Sequence, residues 1–541
     1  MNKKLLTMLV CGITMAASAQ DAFDVLHLSQ TELRGTSRYM SMAGAFGALG
    51  GDISVLNQNP GGIGVYRSSD VNITLSLDFN SSQAAGAAKV NQTKFLVNNI
   101  GYVGAMKINS DVMPNFNWGF SYNRVNSFHR RYTGGFNSLP TSLSNYIAGQ
   151  LNADGIKSTD LVSTSIYNPY FDKPYAPWIG IVSYDIPTKD NGAADIITDN
   201  GDRLQGLYGD GTTGTAEFEV DESGHTDVYN ISFGGNVANV MYWGLCAGIA
   251  DLSFDSYHYY GESLYNAYVR NSSNWKTSTI VQGGADYGYV NRLNTKGTGY
   301  NFKMGVIFKP VNQLRIGLAF HTPTYFDMRD NYYVVSDMAA YDAAGNMLYE
   351  GEKGSNGGYF YRTDYTIKTP WRFMGSLAGV IGKQAIVSID YEYEGNTTMR
   401  VGDDRRHDFI DVTDRVKQYF KPSHTVRVGA EYRLTPNWSL RAGYSLKSSQ
   451  AKAEIEENRL GVVTVSTDPA YQYDKKEQYI TCGVGYKYKS VYVDMAYVHK
   501  NRTSVYNAFS PVSSVTPIEP NLSTEVKDNN NRVSLTLGFR F

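Results

Sequence analysis

A strict two-residue alternation of apolar and polar side chains recurs along most of the chain. Because successive side chains of a β-strand point to opposite faces, such a run predicts a strand whose two faces meet different surroundings. Counting the regular runs, together with less regular ones near 94–108 and 241–254, predicts about fourteen strands. The clearest run alternates Val71, Ile73, Leu75, Leu77 and Phe79 with Asn72, Thr74, Ser76 and Asp78.

Composition decides between a soluble and a membrane-embedded β-protein. The chain has 42 tyrosines and 53 glycines in 541 residues, and it has no run of about 18 uncharged apolar residues that would form a membrane helix. A transmembrane barrel exposes only alternate residues to lipid and places aromatic side chains at both membrane interfaces. The sequence therefore predicts an all-β fold, a transmembrane antiparallel β-barrel. The net charge of −2 gives no indication of a nucleic-acid partner.

The connections between the predicted strands differ in length. Tight polar turns are predicted at 309–313, 382–384, 434–437 and 489–490, and long connections at 127–225, 255–298, 323–364, 395–422, 448–476 and 500–530. Short turns at one end and long loops at the other are typical of outer-membrane barrels, whose long loops lie outside the cell. The last strand ends on Phe541, a terminal aromatic of the kind that the barrel-assembly machinery reads.

The chain begins with the pattern of a secretory signal peptide. Lys3 and Lys4 precede an apolar run over 5–16, and the small residues at 17–19 fit a cleavage site. We expect residues 1–19 to be this peptide and the protein to be exported to the bacterial outer membrane. Residues 20–66 are rich in glycine and small apolar residues and lack strand alternation, whereas 67–541 carry the barrel pattern and its largest loop, about 127–225.

The segment before the first strand carries the most specific motif. It contains Ala43-Gly44-Ala45-Phe46, Asp52-Ile53-Ser54 and Asn59-Pro60-Gly61-Gly62. This block resembles the hatch of the FadL/TodX family of outer-membrane transporters, which carry long-chain fatty acids and other hydrophobic compounds. The resemblance implies that 20–66 form a hatch, or plug, inside the lumen. The chain departs from the family in having Gly61 where alanine is usual and in its larger first outer loop.

The resemblance also implies a function. Hydrophobic molecules, such as long-chain fatty acids or aromatic hydrocarbons, would enter at an outer groove, occupy an interior pocket gated by the hatch and leave sideways into the membrane. We expect a monomer in contact with outer-membrane lipid and lipopolysaccharide, assembled through Phe541. The alternative on the same fold is a protein-secretion or surface-docking component with a partner protein at the large loops. A general porin is disfavoured, because a plugged lumen conducts poorly.

Three sets of residues are candidates for this function. Asn59, Pro60, Gly61 and Gly62 form a turn by their chemistry, and the resemblance places them at the base of the hatch, where they would gate the pore. Aromatic residues in the first large loop either pack a small core of that loop or form a capture groove for an apolar ligand; these are Tyr170, Phe171, Tyr175 and Trp178.

Charged residues on the polar strand faces form the third set. Most should pair with one another inside the barrel. One or two of the cations are candidates to bind a ligand carboxylate, among them Arg315, Arg427 and Arg441.

No catalytic or metal-binding pattern is present in the sequence. The eight histidines show neither an H-E-x-x-H motif nor a paired cysteine–histidine spacing, and no G-x-S-x-G motif occurs. We therefore expect no metal, no cofactor and no enzymatic activity.

Overall fold

The fold is described from a computed structural model. It describes residues 21–108, 110–172, 177–274, 276–355, 361–382, 384–464, 467–510 and 522–541. The predicted signal peptide lies outside the described residues.

Fourteen long antiparallel strands form one continuous sheet. Each pairs with its neighbours in the chain, and β3, β7 and β8 are each built from two segments. The strands are β1 Asp70–Ala84, β2 Val90–Lys107, β3 Asn115–Ser127 with Arg130–Phe136, β4 Thr213–Val237, β5 Met241–Arg270, β6 Ile280–Val311, β7 Leu314–His321 with Tyr325–Tyr341, β8 Tyr361–Lys368 with Arg372–Ile381, β9 Ala385–Glu394, β10 Ser423–Arg433, β11 Trp438–Ser448, β12 Tyr471–Tyr488, β13 Val491–Asn507 and β14 Ser523–Arg540.

The first and last strands close the sheet into a barrel. β1 pairs with β14 over its whole length, from Asp70 opposite Arg540 to Ala84 opposite Val526. Closure removes the sheet edges, which satisfies the backbone polar groups that lipid cannot hydrogen-bond. The predicted all-β barrel of about fourteen antiparallel strands is confirmed.

The alternation seen in the sequence separates the two faces of the wall. On β1, Val71, Ile73, Leu77 and Phe79 are exposed on the outer surface, whereas Asn72, Thr74, Ser76 and Asp78 are buried on the inner surface. The other strands repeat this arrangement, with apolar side chains outward over the middle of the barrel. Among the described residues, no helix is long and apolar enough to cross a membrane.

Several strands continue well beyond the apolar band, and here the sequence prediction was wrong. The predicted connection 255–298 consists mostly of β5 and β6, which leave only 271–279 between them. The predicted connection 323–364 contains the upper segment of β7 and the short strand Met347–Gly354. Beyond the lipid both faces of a strand carry polar and aromatic residues, so the alternation that reveals a strand disappears.

The tight turns lie where they were predicted, between β6 and β7, β8 and β9, β10 and β11, and β12 and β13. Among the described residues between Phe136 and Thr213, which exclude 173–176, the first large connection contains no long strand. The flanks of the predicted loop 127–225 are strand. Short elements decorate the barrel. They are α1 Ala22–Leu28, α2 Ser37–Ser41, α3 Leu143–Ala153, α4 Pro169–Asp172, α5 Trp178–Val182, α6 Ile410–Tyr419, α7 Ala453–Glu456, the 3₁₀ helices Ile53–Asn57, Pro60–Val65, Ser158–Asp160 and Asn396–Thr398, and the short strands Ile186–Pro187, Ala193–Ala194, Thr198–Asn200, Arg203–Gln205, Met347–Gly354 and Arg400–Gly402.

Candidate functional site: the barrel interior

The segment 21–66 lies inside the barrel and contacts the inner face of every strand. We call it the inner segment. Most of its residues are buried, and its regular structure consists of short helices rather than strands. Its wall contacts, in strand order from β1 to β14, include Asp78, Asn98, Asn117, Asn230, Gly244, Lys303, Arg315, Arg372, Asp390, Glu431, Gly443, Thr481, Lys500 and Thr536.

Asn59 to Gly62 form a tight, buried corner of this segment. The Asn59 side chain caps the 3₁₀ helix Pro60–Val65 by accepting from the Gly61 amide at 3.0 Å, and its Nδ2 donates to the Gly47 carbonyl at 2.6 Å. Pro60 occupies the first turn, where a missing amide hydrogen leaves nothing unsatisfied. The gating role predicted for this corner stays a prediction.

Glycine at position 61, where alanine is usual in the FadL/TodX hatch that this segment resembles, has a steric cause. A Cβ added at Gly61 would lie 2.9 Å from the carbonyl carbon of Gly305 on β6, and one added at Gly244 on β5 would lie 2.0 Å from the Pro60 carbonyl oxygen. The helix therefore lies directly on the strand backbones. An alanine at position 61 would push the corner off the wall.

A buried ionic cluster anchors the inner segment to β1 and β14. Arg34 and Arg532 approach Asp78 from opposite sides, at 2.8 and 2.9 Å, and all three side chains are about 1% exposed. Glu32 bonds Arg34 at 2.7 Å and Lys500 at 2.6 Å. Charges this deeply buried are tolerated only when they are paired, so removing one partner leaves another uncompensated.

Two of the three candidate lumen cations are engaged by carboxylates of the wall. Arg427 lies 2.7 Å from Glu392, and Arg441 lies 2.7 Å from Glu431 and 2.5 Å from Asp494. Arg315 instead donates to the Leu49 carbonyl at 2.6 Å, and its Nε has no hydrogen-bond partner within the described part of the chain. That any of them binds a ligand carboxylate stays a prediction.

Higher in the barrel the inner face becomes apolar. Helix α1 lies there, and we call the region around it the upper lumen, in contrast to the polar lower lumen beside 29–66. Phe23 on α1 packs against Tyr471 with ring centroids 4.9 Å apart and against Phe420 at 5.0 Å. Inward-facing wall residues complete this apolar cluster, among them Val228, Ala250, Leu252, Phe254, Phe326, Met328, Tyr365, Ile367 and Tyr473.

The start of α1 carries two buried carboxyl groups. Asp21 caps the helix by accepting from the amides of Phe23 and Asp24, at 2.7 and 2.9 Å. Burial raises the pKa of Asp21 to about 6. Burial, together with the negative charge of Asp21, raises the pKa of Asp24 well above its usual range. Burial lowers the pKa of His27 at the other end of α1, so its imidazole is neutral at pH 7.

A cavity adjoins α1 in the upper lumen; it is open to solvent in part and contains about 790 Å³ of empty space. Its apolar lining comes from Phe23, Tyr132, Val220, Phe254 and Leu293, and its polar lining includes Glu222 and His258. The cavity thus combines an apolar and aromatic part with several polar and charged side chains, and both kinds of group occur in small-molecule sites.

His258 is held by two partners at the edge of this cavity. Its Nδ1 lies 2.8 Å from Asp468 Oδ2, and its Nε2 lies 2.7 Å from the Tyr506 hydroxyl.

The candidate groove residues of the first large loop are placed by this structure only in part. Trp178 is 2% exposed and packs 5.0 Å from Tyr170 and 4.9 Å from Tyr332 on β7, measured between ring centroids. Tyr170 and Trp178 belong to an apolar core formed by the loop and the upper strands. The Phe171 side chain and all of Tyr175 lie outside the described residues, and the groove stays a prediction.

The wall is incompletely paired between β2 and β3. β2 pairs with β1 from Val90 to Val103, but its pairing with β3 covers only Asn99–Lys107. β3 bulges after Arg124 and continues as Arg130–Phe136, which pairs with β4. Residues 90–98 thus face a gap in the described wall. Phe95 lies opposite Leu77 on β1, so the gap reaches the apolar band of the barrel.

Metal binding has no geometric support in the parts of the chain that are described. No group of three or more His, Cys, Asp and Glu side chains is arranged there to hold a metal ion.

The sequence matches one family model, described as outer membrane protein transport protein (OMPP1/FadL/TodX), over residues 228–541. This match covers more than half of the chain. The chain belongs to this family. Its members are outer-membrane transport proteins, so both the resemblance stated from the sequence and a non-enzymatic role agree with the family. No curated protein sequence matches the chain.

A comparison with solved structures also found matches that extend over nearly the whole chain at low sequence identity. A Pseudomonas aeruginosa FadL homologue has 12% identity and a TM-score of 0.49, with 94% of this chain and 99% of that chain covered. The Ralstonia pickettii toluene transporter TbuX has 12% identity and a TM-score of 0.44, with the same coverage. The Pseudomonas putida toluene transporter TodX has 10% identity and a TM-score of 0.44, with 95% and 100% covered.

Sequence reasoning missed the residues of the upper cavity. Glu222 and His258 lie in stretches that were predicted to be outer loops, and Asp468 belongs to another. One signal was present: Glu222 shares its strand face with Phe218 and Val220, so an acid follows two apolar residues at period two. Burying an acid on an apolar face is costly unless it is hydrogen-bonded, so such an acid indicates a position with a polar partner or a ligand.

Proposed function

We propose that this member of the family gives hydrophobic small molecules a passive route across the outer membrane. The observation that carries the proposal is the cavity beside α1, inside a barrel whose lower lumen is largely occupied by the inner segment. In this proposal the inner segment obstructs a straight aqueous path, while the apolar and aromatic part of the cavity above it holds molecules that avoid water.

The gap between β2 and β3 supplies the exit in this proposal. A lateral exit needs a place where the wall is not closed by strand pairing, and residues 90–98 border such a place within the apolar band. A ligand leaving there would enter lipid without crossing the packed lower lumen. The inner segment would then serve as the hatch, with the corner at Asn59–Gly62 fixing it to the wall.

The proposal is tested by identifying apolar compounds that co-purify with the protein. Ala470 lines the cavity, and Ala470→Phe would place a ring in it. Ala247 on β5 is exposed on the outer face, so Ala247→Phe is the matched control. Mass spectrometry should find a defined apolar compound with the wild-type chain and the control, and a reduced amount with Ala470→Phe.

Other outcomes would contradict the proposal. A compound retained equally by Ala470→Phe would show that the cavity does not hold it. No apolar compound, together with a stoichiometric protein partner, would favour the secretion or docking role instead.

A further inference from the structure

The polar end of the upper cavity contains two buried polar atoms, a carboxylate oxygen and a histidine ring nitrogen, that have no hydrogen-bond partner in the described structure. Glu222 is 4% exposed, and its Oε1 accepts from Gln472 Nε2 at 2.7 Å. Its Oε2 is buried and has no hydrogen-bond partner among the described residues, and Glu222 is one of the residues that line the cavity. A buried carboxylate oxygen without a donor is costly, so a native structure normally supplies one.

His27 places a second orphaned atom beside it. Its Nε2 is buried without a hydrogen-bond partner in the described structure and lies 3.8 Å from Glu222 Oε2, which is beyond hydrogen-bond distance. An ammonium group beside these two atoms can donate to Glu222 Oε2, and also to His27 Nε2 in the tautomer in which that nitrogen carries no hydrogen. A hydroxyl group can donate to Glu222 Oε2 and, in the other tautomer, accept from His27 Nε2. The pair therefore marks one position in the cavity lining where a donor is missing.

The charges of this lining favour a donor over an anion. The carboxyl groups of Glu222 and Asp468 line the cavity together with Asp24, whose raised pKa disfavours its charge, and none of the described lining residues is Lys or Arg. The neighbouring cations are already engaged: Arg130 lies 3.1 Å from Asp528, and Arg502 lies 3.0 Å from the same carboxylate. A carboxylate brought to this position would meet like charge with no cation to offset it.

We infer that the upper cavity takes a hydrophobic ligand whose polar end donates hydrogen bonds, an ammonium or a hydroxyl group, and that it disfavours fatty-acid anions. This inference rests on the proposed function and narrows its ligand class. The donor would lie between Glu222 Oε2 and His27 Nε2, and the apolar chain would lie against Phe23, Phe254 and Leu293. Aromatic faces in the lining would add cation–π attraction for an ammonium group.

Three probes with the same chain and different polar ends test the inference. Radiolabelled dodecylamine, 1-dodecanol and dodecanoate are bound at pH 7.5 to the protein in phosphatidylcholine nanodiscs, and binding to empty nanodiscs is subtracted. Dodecylamine or dodecanol should bind the wild-type chain at least about tenfold more tightly than dodecanoate, since a hydrogen bond to a buried charge is worth about that factor. This comparison needs no variant.

Variants then locate the polar end. Glu222→Gln should weaken dodecylamine binding about tenfold. Glu217→Gln is the matched control, because Glu217 lies on the same strand with its side chain exposed on the opposite face. His27→Leu provides a second test if Glu222→Gln does not fold, and it should weaken dodecanol binding severalfold.

The outcomes separate this inference from the proposed function. Dodecanoate binding as tightly as the other probes, or dodecylamine binding unchanged by Glu222→Gln, would overturn the inference and leave hydrophobic transport intact. Absence of binding by all three probes would overturn both.

Discussion

The two halves of the lumen are built in opposite ways. The lower lumen is largely occupied by the inner segment, which contacts every strand and lies on glycine backbones such as Gly244 and Gly305; the space of about 1030 Å³ that remains beside it has a mainly polar lining that includes Arg34, Lys303 and Arg372. The upper lumen is more apolar around α1, and its cavity, open to solvent in part, contains about 790 Å³ of empty space. Both halves belong to the same fourteen strands, so the contrast arises only from which residues point inward at each height.

This contrast bears on the proposed function, in which one barrel obstructs water-soluble molecules and admits apolar ones. Paired charges and directed hydrogen bonds fix a unique arrangement, and losing one partner is expensive, so the lower lumen resists displacement. Apolar contacts are non-directional and tolerate a vacant volume, so in the proposed function the upper lumen is the part that would accept molecules of varied shape. We therefore expect substitutions in the lower half to change stability and conductance, and those in the upper half to change mainly ligand binding.

The largest effect should follow from breaking the ionic cluster of the lower lumen. Arg532→Ala would leave Asp78 with only Arg34 at a site about 1% exposed. We expect a loss of about 3–5 kcal/mol in the free energy of unfolding. Guanidinium unfolding in detergent measures it, with the exposed Arg433→Ala as control. Equal midpoints for the two variants would show that the cluster does not anchor the inner segment.

The next effect concerns the close approach of the inner segment to the wall. Gly244→Ala would place a methyl group 2.0 Å from the Pro60 carbonyl oxygen, whereas a Cβ added at Gly379 meets nothing within 4 Å. We expect Gly244→Ala to cost about 1–3 kcal/mol and to raise single-channel conductance in a planar bilayer, because the corner must move. Gly379→Ala should do neither. Unchanged conductance in Gly244→Ala would argue against a gating corner at Asn59–Gly62.

A smaller effect is expected in the upper lumen. Val220 is 5% exposed and lines the cavity, so Val220→Ala removes two methyl groups beside space that already exists. We expect a cost of about 1–2 kcal/mol and weaker retention of an apolar ligand, with no change in conductance. The melting temperature and co-purified compound measure the two effects. A conductance rise like that of Gly244→Ala would erase the distinction between the two halves.

The smallest effect is a local difference within one strand, with no change in stability. Amides of β2 over 90–98 that point toward β3 have no strand partner, whereas those over 99–107 do. We expect the peptide 90–98 to exchange its amide hydrogens about tenfold faster in nanodiscs. Hydrogen exchange with mass spectrometry compares the two peptides. Equal protection would show that the wall is closed there and that a lateral exit lies elsewhere.

Alternation within the apolar band predicted the barrel and the orientation of its faces. Val71, Ile73, Leu77 and Phe79 are exposed on the outer face as predicted, because lipid on one side and a polar interior on the other impose a period of two. The tight turns were also predictable, since they join runs that both alternate. The strand extensions into 255–298 were missed, because outside the membrane neither face is selected for lipid.

The candidate site likewise has features that the sequence predicted and features that only the structure shows. The sequence placed Arg427 and Arg441 on the inner face, but only the structure shows that Glu392 and Glu431, which lie on other strands, pair with them. The cavity residues Glu222, His258 and Asp468 come from β4, β5 and the connection before β12. No local pattern links such distant positions.

The sequence by itself thus determined the barrel, its faces and its family. Each of these depends on local periodicity or on short motifs, which can be read without knowing which residues they contact. Only the tertiary structure decided that the inner segment contacts all fourteen strands and that the wall leaves no room for a side chain at position 61. It also decided that polar side chains such as Glu222 line a cavity in the upper lumen. The physical reason is closure of the sheet. It brings strands far apart in the chain around one interior, and what fills that interior depends on all of them at once.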